Sequence, residues 1–166
     1  MCSPVDRGRL QTLKQKSPKD QLAGFLAKYT PEVASQARAA LALMRSRLPG
    51  AIELVYDNYN ALAVGFGPTE RASDVIFSIA VWPRWISLFF LQNGPDLPDP
   101  KKLLKGSGTR VRHIVLKEPK MLDLPAIRTL MNQALQRASK PLDPDQPRRI
   151  VIKSVSKKQR PRRPAP

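Results

Sequence analysis

Residues 85–116 read WISLFFLQNGPDLPDPKKLLKGSGTRVRHIVL, and the fold turns on how this stretch divides. Its first seven residues form an apolar run of aromatic and branched side chains, suited to a pleated, buried surface. At the far end Val111, His113 and Val115 alternate with Arg112, Ile114 and Leu116, the period of two that marks a strand. Between the two runs the Asn, Gly, Pro and Asp residues of QNGPDLPDP impose turns. The segment KKLLK is predicted as one helical turn: Asp99 caps it, Pro100 opens it, Gly106 gives a left-handed exit, and Lys105 faces the negative end of the dipole. Two core strands joined by a capped turn and a glycine corner are therefore expected.

Upstream, strands are predicted at 52–56, 61–66 and 75–82, each bounded by Asn, Gly or Pro. Pro83 and Arg84 leave room only for a tight hairpin, so the strands they join must be antiparallel. Before the strands, Ser17-Pro18 and Thr30-Pro31 are helix starts. Leu22, Phe25, Leu26 and Tyr29 follow the first at helical spacing, and Val33, Ala37, Leu41, Met44 and Leu48 follow the second, until Pro49 and Gly50 stop it. Downstream, a helix over 123–138 is predicted with Leu124, Ile127, Leu130, Met131, Ala134 and Leu135 on one face. These stripes are expected to pack on the sheet.

The fold class that results is α+β, an antiparallel sheet of five to six strands with N-terminal and C-terminal helices packed on it. Residues 17–138 are read as the domain and 1–16 as a mobile arm. Residues 139–166 are read as a proline-rich basic extension with an edge strand at 149–155. The closing KKQRPRRPAP has one alanine as its only small apolar side chain, too little apolar surface to be expected to order itself.

The chain has a formal net charge of +16, unevenly placed. Residues 31–90 are balanced, whereas 151–166 hold Lys153, Lys157, Lys158, Arg160, Arg162 and Arg163 and no acidic residue. Such a field favours an anionic partner, nucleic acid or an acidic protein, through Coulomb attraction and counterion release. Cys2 is the single cysteine, which leaves no intrachain disulfide and no activated thiol. The most apolar run, 75–91, is interrupted by Ser78, Pro83, Arg84 and Ser87 and falls short of the roughly 20 residues of a membrane span. With no signal-peptide core, a soluble cytoplasmic protein is expected.

Several groups carry candidate chemistry. Lys101, Lys102, Lys105, Gly106, Ser107, Gly108, Arg110 and Arg112 are the candidate anion site, since glycines let successive amides face one concavity beside cations. The same glycines serve equally as a helix stop and a turn, and the spacing is not that of a nucleotide-binding GxxxxGK loop. Lys157, Lys158, Arg160, Arg162 and Arg163 are the candidate polyanion-binding tail, holding phosphates without sequence preference or presenting a polyproline segment to an acidic partner. Trp82 and Trp85 flank Arg84; they stack on a base if exposed and belong to the core if buried, and one is expected inside with the other partly out. Glu53, Asp57, Glu70 and Asp74 are expected as solvated strand ends rather than an acid pair. His113, the only histidine, has no second ligand at metal spacing and no catalytic partner. No enzyme activity, metal or cofactor is expected.

The string from Leu88 to Leu116 resembles the YdhG-like family of domains of unknown function. The residues that carry the likeness are Asp99, Pro100, Leu103, Leu104, Gly106, Gly108 and Arg112, with Glu53 and Tyr56 ahead of the hairpin and Leu130 and Ala134 in the closing helix. The likeness covers roughly residues 19–138 and implies an α+β sandwich similar in fold to frataxin. At least one relative is regarded as a frataxin-like iron chaperone. Iron delivery needs clustered oxygen ligands, and here Asp20 and Glu32 face Lys19, Lys28, Arg38, Arg45 and Arg47 on the first two helices. The expected function is a small non-catalytic binding protein using its basic surface and tail toward an anionic partner. The alternatives are an intracellular iron chaperone and a nonspecific nucleic-acid-binding protein.

Overall fold

The computed structural model describes residues 16–165. Cys2 and nearly all of the expected N-terminal arm lie outside the described residues, as does Pro166. Helix α1 (Pro18–Leu26) starts where Ser17 Oγ accepts from the Asp20 amide at 3.1 Å, and α2 (Pro31–Arg47) where Thr30 Oγ1 accepts from the Val33 amide at 3.3 Å. Each cap satisfies an amide that a helix start leaves unpaired. Beyond α2, Gly50 has φ +80°, and a Cβ there would fall 1.7 Å from the Asp143 carbonyl oxygen. Only glycine meets both conditions.

Six strands form one sheet: β1 (Ile52–Asp57), β2 (Leu62–Gly67), β3 (Phe77–Val81), β4 (Ile86–Phe90), β5 (Arg112–Leu116) and β6 (Ile150–Val155). Their spatial order is β5-β4-β3-β2-β1-β6. The first five pair antiparallel, in line with the expected α+β class. The edge strand β6 lies parallel to β1, so the sheet is mixed. A short hairpin forces antiparallel neighbours, whereas β6 arrives after helix α3 (Pro125–Arg137) and a long connection, which leaves it free to run with β1.

Helices cover one face of this sheet. Val55, Val64, Phe77, Ile79, Leu88 and Ile114 point to that side, and Leu22, Leu26, Leu41, Met44, Ile127 and Leu130 pack against them. The opposite face is covered over β1, where Val75 packs on Ile52 and Leu54. Toward β4 and β5 it opens, and Trp85 and Val115 are exposed.

Two predicted helical segments differ from the observed ones. The turn at 100–105 is not helical: Lys102 takes a left-handed φ of 55°, and Lys105 pairs with His113 in an isolated antiparallel bridge. The Asp99 carboxylate still caps, accepting from the Leu103 and Leu104 amides at 2.9 and 2.8 Å. The final helix starts two residues late, after a 3-10 turn at Pro119–Asp123, and Leu124 is exposed rather than inward-facing. Pro125 keeps the residue before it out of the helical region, and Leu124 is accordingly extended, with φ −61° and ψ 131°.

Candidate functional site

The site is assembled around a buried charge. Asp57 ends β1 fully buried, against the expectation of a solvated strand end. Its carboxylate accepts from Lys28 Nζ at 2.9 Å and from Arg162 Nη2 at 2.9 Å. Burial pushes the carboxyl up, but the hydrogen bonds from Lys28 and Arg162 outweigh it and hold the group below its ordinary value of 3.8. Arg162 is itself buried and also donates to the carbonyls of Asn58 and Tyr59 in the β1–β2 turn. Its guanidinium lies 5.9 Å from the Tyr29 ring, whose hydroxyl donates to the Val81 carbonyl at 2.7 Å and accepts from the Leu62 amide at 3.1 Å. Charge, turn carbonyls and aromatic ring thus form one fitted socket.

That socket corrects the expectation of an unordered tail. Residues 156–165 lie along the end of the sheet as a strap. The Ser156 amide and Gln159 Nε2 donate to the Asp57 carbonyl at 2.8 and 3.1 Å, the Arg160 amide donates to the Tyr59 carbonyl at 2.9 Å, and Arg163 Nε donates to the Lys28 carbonyl at 3.2 Å. Apolar burial was never available to hold this segment. A buried carboxylate that needs a cation holds it through Arg162.

The other carboxylates do not converge either. Glu53 is buried and takes both of its bonds from Arg45, at 2.8 and 2.9 Å. Asp74 is buried as well; the Thr69 hydroxyl at 2.6 Å holds its carboxyl low against the opposing effect of burial, and Lys140 adds to this at 3.3 Å. Glu70 remains exposed and pairs with Arg149.

The docked strap meets the β3–β4 hairpin. Trp82 and Trp85 stand directly across the two-residue turn, the Trp82 amide donating to the Trp85 carbonyl at 2.9 Å. Residues opposite each other in a ladder share a face, so both indoles lie on the side away from the helices and stack at 5.9 Å with 25° between planes. The expectation of one indole inside and the other partly out is corrected by that pairing, which puts both on one face. Trp82 is half-buried, while Trp85 is 43% exposed. Together with Arg84, Arg160, Arg163 and Pro164 they line a groove of about 470 Å³. The three arginines are exposed, and among the described residues none of them forms an ion pair. Arg160 lies 5.5 Å from the Tyr59 ring. Two candidates that the sequence holds far apart, the indole hairpin and the basic tail, are one site.

The members of the tail divide by role. Arg160 and Arg163 face the groove, Arg162 is the anchor beneath it, and Lys157 and Lys158 are exposed. The glycine corner lies elsewhere, since Arg112 pairs with Phe90 at the opposite end of β4 from the hairpin. There Lys101, Lys102, Lys105 and Arg110 are exposed, as are Gly106, Ser107 and Gly108. Arg112 turns back on its own loop and donates to the Gly108 and Val111 carbonyls, and the Lys105 amide is spent on His113. Gly106 has φ +117°. His113 stacks on Phe89 at 5.1 Å, on the open face of the sheet.

Sequence reasoning missed Asp57 as the organiser. The signal was an acidic residue closing the apolar strand IELVYD, but nothing local names its partner. Among the described residues no helix is long and apolar enough to cross a membrane, and no three His, Cys, Asp or Glu side chains gather as a metal site. Comparison with family models, with curated proteins and with solved structures gives no match for this chain.

Proposed function

We propose that this protein is a non-catalytic binding module for nucleic acid, which it holds at the groove between the β3–β4 hairpin and the C-terminal strap. The observation that supports the reading is the meeting of Arg84, Arg160 and Arg163, without ion-pair partners among the described residues, around a stacked pair of indoles. Guanidinium groups bind phosphate through planar, charge-assisted hydrogen bonds. The net charge of +16 adds long-range attraction that steers a polyanion to the surface. A cytoplasmic setting belongs to the same proposal.

Membership of a YdhG-like family is part of this reading as well. It is supported by the α+β architecture and by the turn capped by Asp99, and it assigns no chemistry of its own. An iron-handling role has less behind it, because the buried carboxylates Glu53, Asp57 and Asp74 are already satisfied by cations.

A labelled oligonucleotide titrated at two salt concentrations tests the proposal. Association at low salt is expected, with log K falling linearly as log salt rises. No association at low salt contradicts it.

A further inference from the structure

Resting on the nucleic-acid reading above, we infer that the groove takes unpaired nucleotides, with a base stacked on Trp85 and the flanking phosphates held by Arg84, Arg160 and Arg163. An arginine cluster alone is indifferent to strandedness, because a phosphate looks the same to it on one strand or two. The indole is not. A base inside a duplex has both of its faces covered by its neighbours, so only an unpaired base can present a π-face to a ring.

The geometry provides that ring in a set position. Trp82 backs Trp85 at 5.9 Å, so one indole face is occupied and the rotamer is supported from behind. The exposure of Trp85 leaves the rest of its ring to solvent in a groove of about 470 Å³, within the roughly 300–1,000 Å³ of ligand pockets. An exposed indole that a neighbour holds in place loses little freedom when a base stacks on it. Arg84 sits in the turn between the two indoles, and Arg160 and Arg163 come from the strap, so all three cations line the same groove as the ring.

The same face offers a continuation. Phe89 lies four residues along the strand from Trp85, about 13 Å away at roughly 3.3 Å per residue. Its ring is stacked on His113. Glu70 and Asp74, in the loop before β3, are neutralised by Arg149 and Lys140. A strand leaving the groove across this face meets a second aromatic surface and no unpaired carboxylate from that loop. A nucleotide presents a phosphate and a flat ring together and so matches the arginines and the indole at once, whereas the carboxylates of an acidic protein match only the arginines, which is why the observations favour a nucleic acid.

The test compares wild type with Trp85→Ala and Trp85→Phe against three probes: a deoxythymidine oligonucleotide, a duplex of equal length, and heparin as a polyanion without bases. Trp85 is exposed, and circular dichroism with thermal unfolding verifies that the variants keep the fold. The expected result is that Trp85→Ala loses roughly five- to 150-fold in single-strand affinity, the range of one base stack. Trp85→Phe recovers part of the loss, and affinity for duplex and heparin stays unchanged. Single-strand binding that survives Trp85→Ala undiminished, or wild-type binding to duplex as tight as to single strand, overturns the inference and leaves the nucleic-acid reading standing. Equal losses on all three probes overturn it too, because stacking cannot act on heparin. Failure of wild type to bind either nucleic acid at low salt removes both readings together.

Discussion

Replacing Asp57 with Asn is expected to lower stability by about 3 kcal/mol and to weaken nucleic-acid binding in the same variant. The second effect has the opposite sign to a simple charge argument, since removing a carboxylate from a polyanion-binding protein strengthens nonspecific attraction. The structure reverses that sign through the strap. Arg162 is buried only because the Asp57 carboxylate, fully screened from water, lies 2.9 Å from it. An asparagine of the same shape leaves a buried guanidinium without a counter-charge, and returning Arg162 to water is the less costly outcome. With it go Arg160, Arg163 and Pro164, the strap side of the groove. Urea unfolding and oligonucleotide titration of one preparation measure both effects. Unchanged stability with tighter binding contradicts the anchoring role.

The same carboxyl predicts a pH dependence. Its folded value lies below the ordinary 3.8, so it contributes stability above that value and loses it as pH falls through the folded one. Strap docking is expected to persist at neutral pH and to be released only as pH falls below 3.8 toward the depressed folded value. Amide exchange or proteolysis at residues 156–165 reports the release, and the Asp57→Asn variant lacks this transition.

Replacing Arg84, Arg160 and Arg163 together with Ala is expected to have the largest effect on affinity. If each holds one phosphate of a single strand, the slope of log K against log salt becomes shallower by roughly 2, at about 0.7 per contact. Extrapolated from 1 M, that slope corresponds to a loss of roughly 500-fold at about 0.05 M salt and almost none near 1 M. All three side chains are exposed and outside the ion pairs that hold the fold, and only the exposed Arg163 hydrogen bond to the Lys28 carbonyl is lost, so stability is expected to fall by no more than about 1 kcal/mol. Replacing Lys101, Lys102 and Lys105 instead serves as the comparison, because they carry the same charge at the other end of β4. Equal losses from the two triple variants would mean a diffuse field without a groove.

Much of the fold was legible because it is periodic. The apolar, β-branched and aromatic runs IELVYD and ISLFF mark strands buried on both faces, and the three-four spacing of Val33, Ala37, Leu41, Met44 and Leu48 marks the helix face that meets the core. The capped helix starts at Ser17 and Thr30 were equally local. The misreadings arose where one residue's conformation depends on a neighbour's covalent chemistry, as Leu124 does on Pro125, or where two residues pair across a turn, as Trp82 and Trp85 do. The strap was illegible for a different reason. Composition correctly denied it a hydrophobic anchor, but the anchor is electrostatic, and Asp57 and Arg162 are 105 residues apart in the chain. The three groove arginines were each visible as cations, yet only the docked strap brings Arg160 and Arg163 to Arg84.

The protein's two tryptophans are both in the groove, so their emission reports on the site and nowhere else. Titration of the full chain with a deoxythymidine oligonucleotide at low salt, following tryptophan emission and oligonucleotide polarisation together, tests the groove directly. Saturable quenching that parallels the rise in polarisation, and that added salt reverses, is the predicted result. A rise in polarisation with tryptophan emission unchanged would contradict it, placing the nucleic acid on some other part of the basic surface.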